Sequence, residues 1–339
     1  MRGLKRIGIG VVAVLAAAIL AGAAYELWAR QRVAAEFPAR GVLVDIGGRR
    51  IHLDCRGNGS PIVVFESGLD VYGSLSWSAV QDAVARTTRA CSYDRAGVLW
   101  SDRSNGARDG TAVADDLHKA LQAAGEKGPY VMVGHSLGGP YVMSFAKQFG
   151  ADVAGLVFVD ASHPDQQRRL KEATGQQVEE SMAGPKLLAA LAWAGLPRMV
   201  ARSVGNPQAP AQANAAMQAY LPRSLRPMLD ELDAIDRTFS EAGALRSLGD
   251  RPLVVLTAAA PIAAADLATL KLTPEQGRRL QAAWFELHDD EASWSSRGRN
   301  VRLEDAHHYI QFERPDAVIE AIHEVVESLR GPSATNELP

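Results

Sequence analysis

The chain has 339 residues, 47% of them apolar and 22% charged, which suffices for one large core with an insertion or a small second domain. Its net charge of -3 offers no basic excess to displace phosphate counterions, so nucleic-acid recognition is set aside.

Arg2, Lys5 and Arg6 precede an uncharged apolar run from Ile7 to about Tyr25. About 20 helical residues cross a bilayer, and Trp28 stands where an interfacial aromatic belongs. Residues 1–40 therefore read as a membrane anchor and linker. The same features fit a signal peptide, with small residues at Ala21-Gly22-Ala23. The expectation is a single-pass anchor in the inner membrane with the rest of the chain facing the periplasm or outside; secretion after cleavage is the alternative. Cys55 and Cys91 are the only cysteines, and in an exported chain an isolated pair more often forms a disulfide.

Residues 26–40 read as a mostly polar connection containing Pro38. Gly41–Ile46 and Arg50–Asp54 alternate around Gly47-Gly48, a hairpin pattern. Pro61–Phe65 is a continuous apolar run, as in a strand buried on both faces. A helix is expected around Trp77–Ala85, a strand at Arg89–Tyr93, and an amphipathic helix at Ala112–Ala124. Then follow a strand at Tyr130–Val133, a helix at Leu137–Phe149 and a strand at Gly155–Val159. This alternation predicts an α/β fold, a mostly parallel sheet with helices on both faces.

From Ser162 to about Leu248 only helical segments are expected, at Lys186–Ala194, Met217–Leu221 and Pro227–Ala244. The alternation resumes with a strand at Arg251–Leu256, a helix at Pro274–His288, a strand at Asn300–Leu303 and a helix at Asp316–Leu329. The expected organisation is a core of residues 41–161 and 249–330, a helical lid of residues 162–248, and a frayed tail of residues 331–339.

Gly134-His135-Ser136-Leu137-Gly138 matches G-x-S-x-G, with an apolar strand before it and a helix pattern after it. Such a turn holds its serine strained at the apex, and the flanking glycines admit close backbone. The chain further contains Cys91-Ser-Tyr-Asp-Arg-Ala-Gly97, Trp100-Ser-Asp102, Val157-Phe-Val-Asp-Ala-Ser-His-Pro-Asp165 and His308-Tyr-Ile-Gln-Phe-Glu-Arg-Pro-Asp316. With these blocks, residues 41–330 resemble the α/β-hydrolase superfamily, closest to bacterial serine hydrolases of esterase type.

That resemblance implies a nucleophile, Ser136, activated by a histidine. His308 takes the base position after the last strand, with neighbouring His307 the alternative. The strand before Thr257-Ala-Ala-Ala-Pro261 delivers no carboxylate, so the acid is assigned to Asp160, a position some family members use; Asp266 is the alternative. The oxyanion would be held by the N–H groups of Leu137 and Leu69. Asp94 and Arg95 are expected to form a structural ion pair. His52 and His118 have structural readings, His135 belongs to the turn around Ser136, His323 lies on a surface helix, and His288-Asp-Asp-Glu291 reads as a solvated helix end without metal-ligand spacing. In this fold the strand ending near Cys55 pairs antiparallel with the strand starting near Cys91, which supports the disulfide.

The implied activity is hydrolysis of a carboxylic ester through an acyl-enzyme, with no metal or organic cofactor, on a small substrate bearing an apolar group. An amide or peptide hydrolase, an acyltransferase, a perhydrolase and a non-catalytic small-ligand binder are the alternatives. Dehalogenase and epoxide hydrolase chemistry would need a carboxylate at position 136. Leu187, Leu188, Leu191, Trp193, Met199 and Met217 are expected either to cap the site or to seat the lid on the core.

Overall fold

Strands covered by helices on both faces can bury every side chain, and the continuous apolar runs of the sequence take that place. A computed structural model describes residues 2–178 and 182–331. Its eight strands are β1 (Val42–Asp45), β2 (Arg50–Arg56), β3 (Ile62–Glu66), β4 (Ala90–Tyr93), β5 (Tyr130–His135), β6 (Val153–Val159), β7 (Leu253–Ala258) and β8 (Gly298–Leu303). They form one sheet in the order β1-β2-β4-β3-β5-β6-β7-β8. β2 pairs antiparallel with β1 and β4, and every other neighbouring pair is parallel. The carboxyl ends of β3, β5, β6, β7 and β8 therefore meet along one edge, where ligands bind in open α/β sheets.

Helix α1 (Arg2–Glu36) opens the chain, followed by α2 (Gln81–Val84), α3 (Gly110–Ala123) and α4 (Gly138–Gln148). Between β6 and β7 come α5 (Gln166–Thr174), α6 (Ala183–Ala190), α7 (Leu196–Val200), α8 (Ala211–Asp233) and α9 (Ile235–Ala242). The last helices are α10 (Ala264–Thr269), α11 (Pro274–Ser293), α12 (Ile310–Glu313) and α13 (Pro315–Arg330). Strand residues alternate between two apolar clusters, as a period of two requires. Val64, Met132, Leu156 and Val255 join Leu117 and Phe145 of α3 and α4 on one face. Val63, Val131, Val157 and Val254 join Ile322 and Val325 of α13 on the other.

Four expectations are corrected. Residues 26–36 continue α1 instead of forming a connection; Glu26 is buried and bonded to Arg30 one turn on, at 2.9 Å. Around Trp77 the chain makes a 3₁₀ turn, Gly73–Trp77, and then only the single turn α2. α8 runs unbroken through Pro222 and Pro227, where two helical segments were expected. Pro227 has no N–H for the carbonyl of Arg223, and Arg103 donates to that oxygen instead at 3.0 Å, while Met217, Leu221, Leu225 and Leu229 bury the helix. α5, unforeseen in the sequence, lies against α11, and Gln276 donates to the carbonyl of Thr174 at 2.8 Å. Cys55 and Cys91 are register partners, with their sulfur atoms 2.05 Å apart. The expected tail, apart from Gly331, lies outside the described residues.

Candidate active site

Ser136 sits between the end of β5 and the start of α4 with φ of 53°, a conformation that costs a serine energy unless its surroundings impose it. They do: its N–H donates to Val159 O at 3.3 Å, and its carbonyl accepts from Ser162 N at 2.8 Å and Gly139 N at 3.0 Å. A Cβ at Gly138 would stand 2.5 Å from Glu66 O, and one at Gly68 would stand 2.9 Å from Ser136 Cβ. The loop after β3 thus lies directly against the serine.

Asp160 follows β6 immediately, buried, with φ of 43°. Its Oδ2 accepts from His308 Nδ1 at 2.7 Å. Its Oδ1 accepts from the Ala258 N–H at 2.9 Å and from Trp284 Nε1 at 3.2 Å. Burial opposes the charge on Asp160, but the hydrogen bond and charge of His308 outweigh it and hold the carboxyl below its ordinary value. Burial likewise lowers His308, and the bond and charge of Asp160 more than offset this, so the imidazole rests above its ordinary value.

His135 donates from Nε2 to the carbonyl of His308 at 2.9 Å, tying the residue before Ser136 to the backbone of His308. Burial, reinforced by His308, pushes His135 down to about 3. Leu137 and Leu69 pack into one small cluster with Val113, Tyr141 and Phe239. Among the described residues, no protein acceptor engages the N–H of either leucine.

The alternatives lie elsewhere. His307 is exposed and bonded through Nδ1 to Glu313 at 3.0 Å. Asp266 is exposed on α10.

Asp94 and Arg95 do not pair with each other. Asp94 meets His52 Nδ1 at 2.8 Å and accepts from Ser74 N at 2.8 Å. Arg95 is buried and donates to Glu66 at 2.7 Å, to the carbonyls of Ser67 and Gly68 at 2.7 Å each, and to both carboxylate oxygens of Glu231 on α8 at 3.0 and 2.8 Å. Successive residues leaving a strand point to opposite sides, which separates them. Burial, only partly opposed by Arg95, pushes Glu66 up to about 7.

His288 and Glu291 are also corrected. α11 continues to Ser293, and both residues are buried, so this is no solvated helix end. His288 bonds Thr257 Oγ1 at 2.8 Å and Ala161 O at 3.0 Å, directly beneath Asp160. The placement of Trp284 and His288 beside Asp160 was not foreseen in the sequence. Their signal was a four-residue spacing on one face of the helix expected there. Of the apolar lid residues, Met217 is buried against Val71, Tyr72 and Phe312. Leu187, Trp193 and Met199 instead remain 60%, 54% and 81% exposed, meeting neither expectation.

With this geometry in hand, residues 60–199 match the family model of the alpha/beta hydrolase fold. The chain is 36% identical over 130 residues to a probable transporter of Hormonema carpetanum, covering 35% of this chain and 18% of that protein. It spans less than half the length of the curated relatives it matches. An esterase from Exiguobacterium antarcticum superposes with a TM-score of 0.59 at 14% identity, covering 85% of this chain and 99% of the other. A thermophilic esterase from Thermogutta terrifontis does so with a TM-score of 0.57 at 18% identity, covering 86% and 99%. The chain has the α/β-hydrolase fold. One N-terminal helix, Ile9–Glu36, is long and apolar enough to cross a membrane, a test that a signal sequence also passes.

Proposed function

We propose that this chain is a serine hydrolase that cleaves carboxylic esters through an acyl-enzyme, working at a membrane to which α1 anchors it from the periplasmic or outer side. Ser136 Oγ attacks the acyl carbon while its proton passes to His308 Nε2. The N–H groups of Leu69 and Leu137 hold the developing oxyanion, the latter at the positive end of α4. His308 returns the proton to the departing alcohol. Water then enters, gives a proton to His308, attacks the acyl group and frees the acid as Ser136 recovers its proton. Asp160 fixes the imidazole tautomer and stabilises its cation. Cys55 and Cys91 form a disulfide in the exported domain.

The observation that carries this reading is the 2.7 Å bond from His308 Nδ1 to buried Asp160, on a histidine whose carbonyl is tied to the serine turn by His135. The two esterases among the structural neighbours agree with it. The test is an alkyl fluorophosphonate probe together with a series of aryl esters of increasing acyl length. The wild-type chain should label at Ser136 and hydrolyse esters, and Ser136→Ala should do neither. Folded wild-type protein that neither labels nor hydrolyses any ester would favour a small-ligand binder.

A further inference from the structure

The N-terminal helix leaves the body of the protein beside the lid. Along its last turns Gly22, Glu26, Ala29 and Val33 share one inward face at helical spacing, whereas Val11, Val12, Val14, Leu15, Ile19 and Leu20 remain exposed. Gly22 is pressed on the lid so closely that a Cβ there would stand 2.5 Å from the carbonyl oxygen of Ala194. Glu26, 1% exposed, receives Arg198 of α7 at 2.5 Å as well as Arg30. These contacts fix the lid against the helix.

They also fix its depth. Tyr25 and Trp28 lie side by side, tilted, with ring centroids 5.7 Å apart, and mark the interfacial level of a spanning helix. Gly22 lies about 4.5 Å deeper than Tyr25 at 1.5 Å per residue. The lid segment touching Gly22 therefore meets the edge of the hydrocarbon. The exposed Trp193, Met199 and Val200 lie one or two residues from Ala194 or Arg198, the two lid residues that hold the helix, and exposed Leu187 lies two turns before Ala194.

Between α1, the lid and α8 lies a cavity of about 590 Å³. Arg30, Arg103, Arg198, Arg223 and Arg226 line it, with Glu26 as the only carboxylate among the described residues, and Trp193 and Tyr220 supply apolar wall. Glu26 is shared between Arg30 and Arg198, and Arg226 pairs with Asp230 at 2.7 Å. Arg103 and Arg223 have no carboxylate partner among the described residues. They donate only to the carbonyls of Arg223 and Ser101, at 3.0 and 2.8 Å. Burial lowers Arg223 from its ordinary value, with Arg103 adding to the effect and Tyr220, Asp102 and Asp94 only partly opposing it.

We propose that this cavity is a binding site for an anionic phospholipid of the bilayer, its headgroup phosphate held by Arg103 and Arg223 and its acyl chains running along Trp193 and Leu187. Guanidinium forks suit phosphate oxygens, and a basic pocket at the membrane edge favours an anionic headgroup over a zwitterionic one. Occupancy would lock α1 to the lid and fix the lid over the sheet edge that carries Ser136.

The inference rests on the anchoring proposed above, and the two fail separately. Full-length protein is extracted into neutral detergent and its thermal midpoint followed with short-chain phosphatidylglycerol, phosphatidylcholine or inorganic phosphate. Phosphatidylglycerol should raise the midpoint, the other two should not, and Arg103→Gln with Arg223→Gln should remove the rise. Arg223→Gln alone should weaken the response if the double variant does not fold. An equal rise with phosphatidylcholine, a rise reproduced by phosphate alone, or one that persists in the arginine variants overturns the site. Intact mass reads the anchor: a mature chain cut near Ala23 overturns anchoring and the bilayer as lipid source. In detergent without added lipid, where the site is empty in both, fluorophosphonate labelling of the arginine variants should equal wild type, which keeps the hydrolase reading separate.

Discussion

Asp160 accepts the Nδ1–H of His308 at 2.7 Å across 148 residues of chain, and two further donors, Ala258 N–H and Trp284 Nε1, hold its other oxygen. A carboxylate so held presents one fixed lone pair to the imidazole. Asp160→Asn keeps the shape but reverses the polarity of that contact, so the wrong tautomer becomes favoured. The expected loss in kcat is about 10⁴-fold. Asp266→Asn, at an exposed position on α10, should leave kcat within about twofold of wild type, as surface changes usually do. Steady-state kinetics on a soluble aryl ester decide between them, and a large loss at Asp266 would remove Asp160 from its role.

The pH profile follows from the same pair. A general base must be neutral, so rate is lost as pH falls through the pKa of His308. Burial lowers that pKa, Asp160 raises it more, and the net direction is upward. The acid limb of kcat/KM should therefore lie above the ordinary histidine value of about 6.5. In Asp160→Asn the burial remains and the opposing charge is gone, so the limb should move to lower pH. A limb that stays in place would mean that another group titrates there.

Cys55 and Cys91 face each other on antiparallel strands, 36 residues apart in sequence. A bridge closing a loop of that length stabilises by about 4 kcal/mol on the chain-entropy model. Ellman titration of unreduced, denatured protein should find no thiol, and reduction should lower the urea midpoint accordingly. Two titratable thiols in protein from an oxidising compartment would remove the bridge.

What the sequence makes legible is set by local pattern. Ser136 announces itself by a strand, a turn and a helix within a few residues, and Asp160 by ending an apolar strand. Cys55 and Cys91 follow from strand order once the fold is recognised. What escaped depends on long-range packing. Nothing near Arg95 shows that its partner is Glu231, 136 residues away on α8, so a local pair with Asp94 was the natural expectation. His288 looked solvated because three acidic residues follow it, yet burial against Thr257 and Ala161 decides its place. Pro222 and Pro227 misled for the same reason: a donor from outside the helix, Arg103, takes up the carbonyl that Pro227 leaves free. Residues 26–36 read as a linker because their inward face is completed only by the lid.

Arg95 offers the strongest test of how the loop behind Ser136 is held. Its guanidinium reaches Glu66, Ser67 and Gly68 on one side and Glu231 on the other, and it stacks over Tyr141 at 4.9 Å. The carbonyls it captures belong to the two residues preceding Leu69, so the position of the Leu69 N–H depends on it. Arg95→Met would leave Glu66 buried without its cation, whereas Glu231 would keep Arg108 at 2.7 Å. Breaking a buried pair in this way costs about 3–5 kcal/mol. Glu66, already pushed up to about 7, relieves part of that by taking a proton, so the lower end of the range is expected. Arg95→Lys keeps the charge but cannot span all four partners, because an ammonium lacks the planar fork. It should therefore recover much of the stability and less of the rate, with kcat down by about 10²-fold for a shift of the oxyanion donor near 1 Å. Urea denaturation and ester kinetics on both variants separate the two effects. If Arg95→Lys matches wild type in kcat, the loop is placed by its apolar contacts through Leu69 and Leu137 and not by the guanidinium.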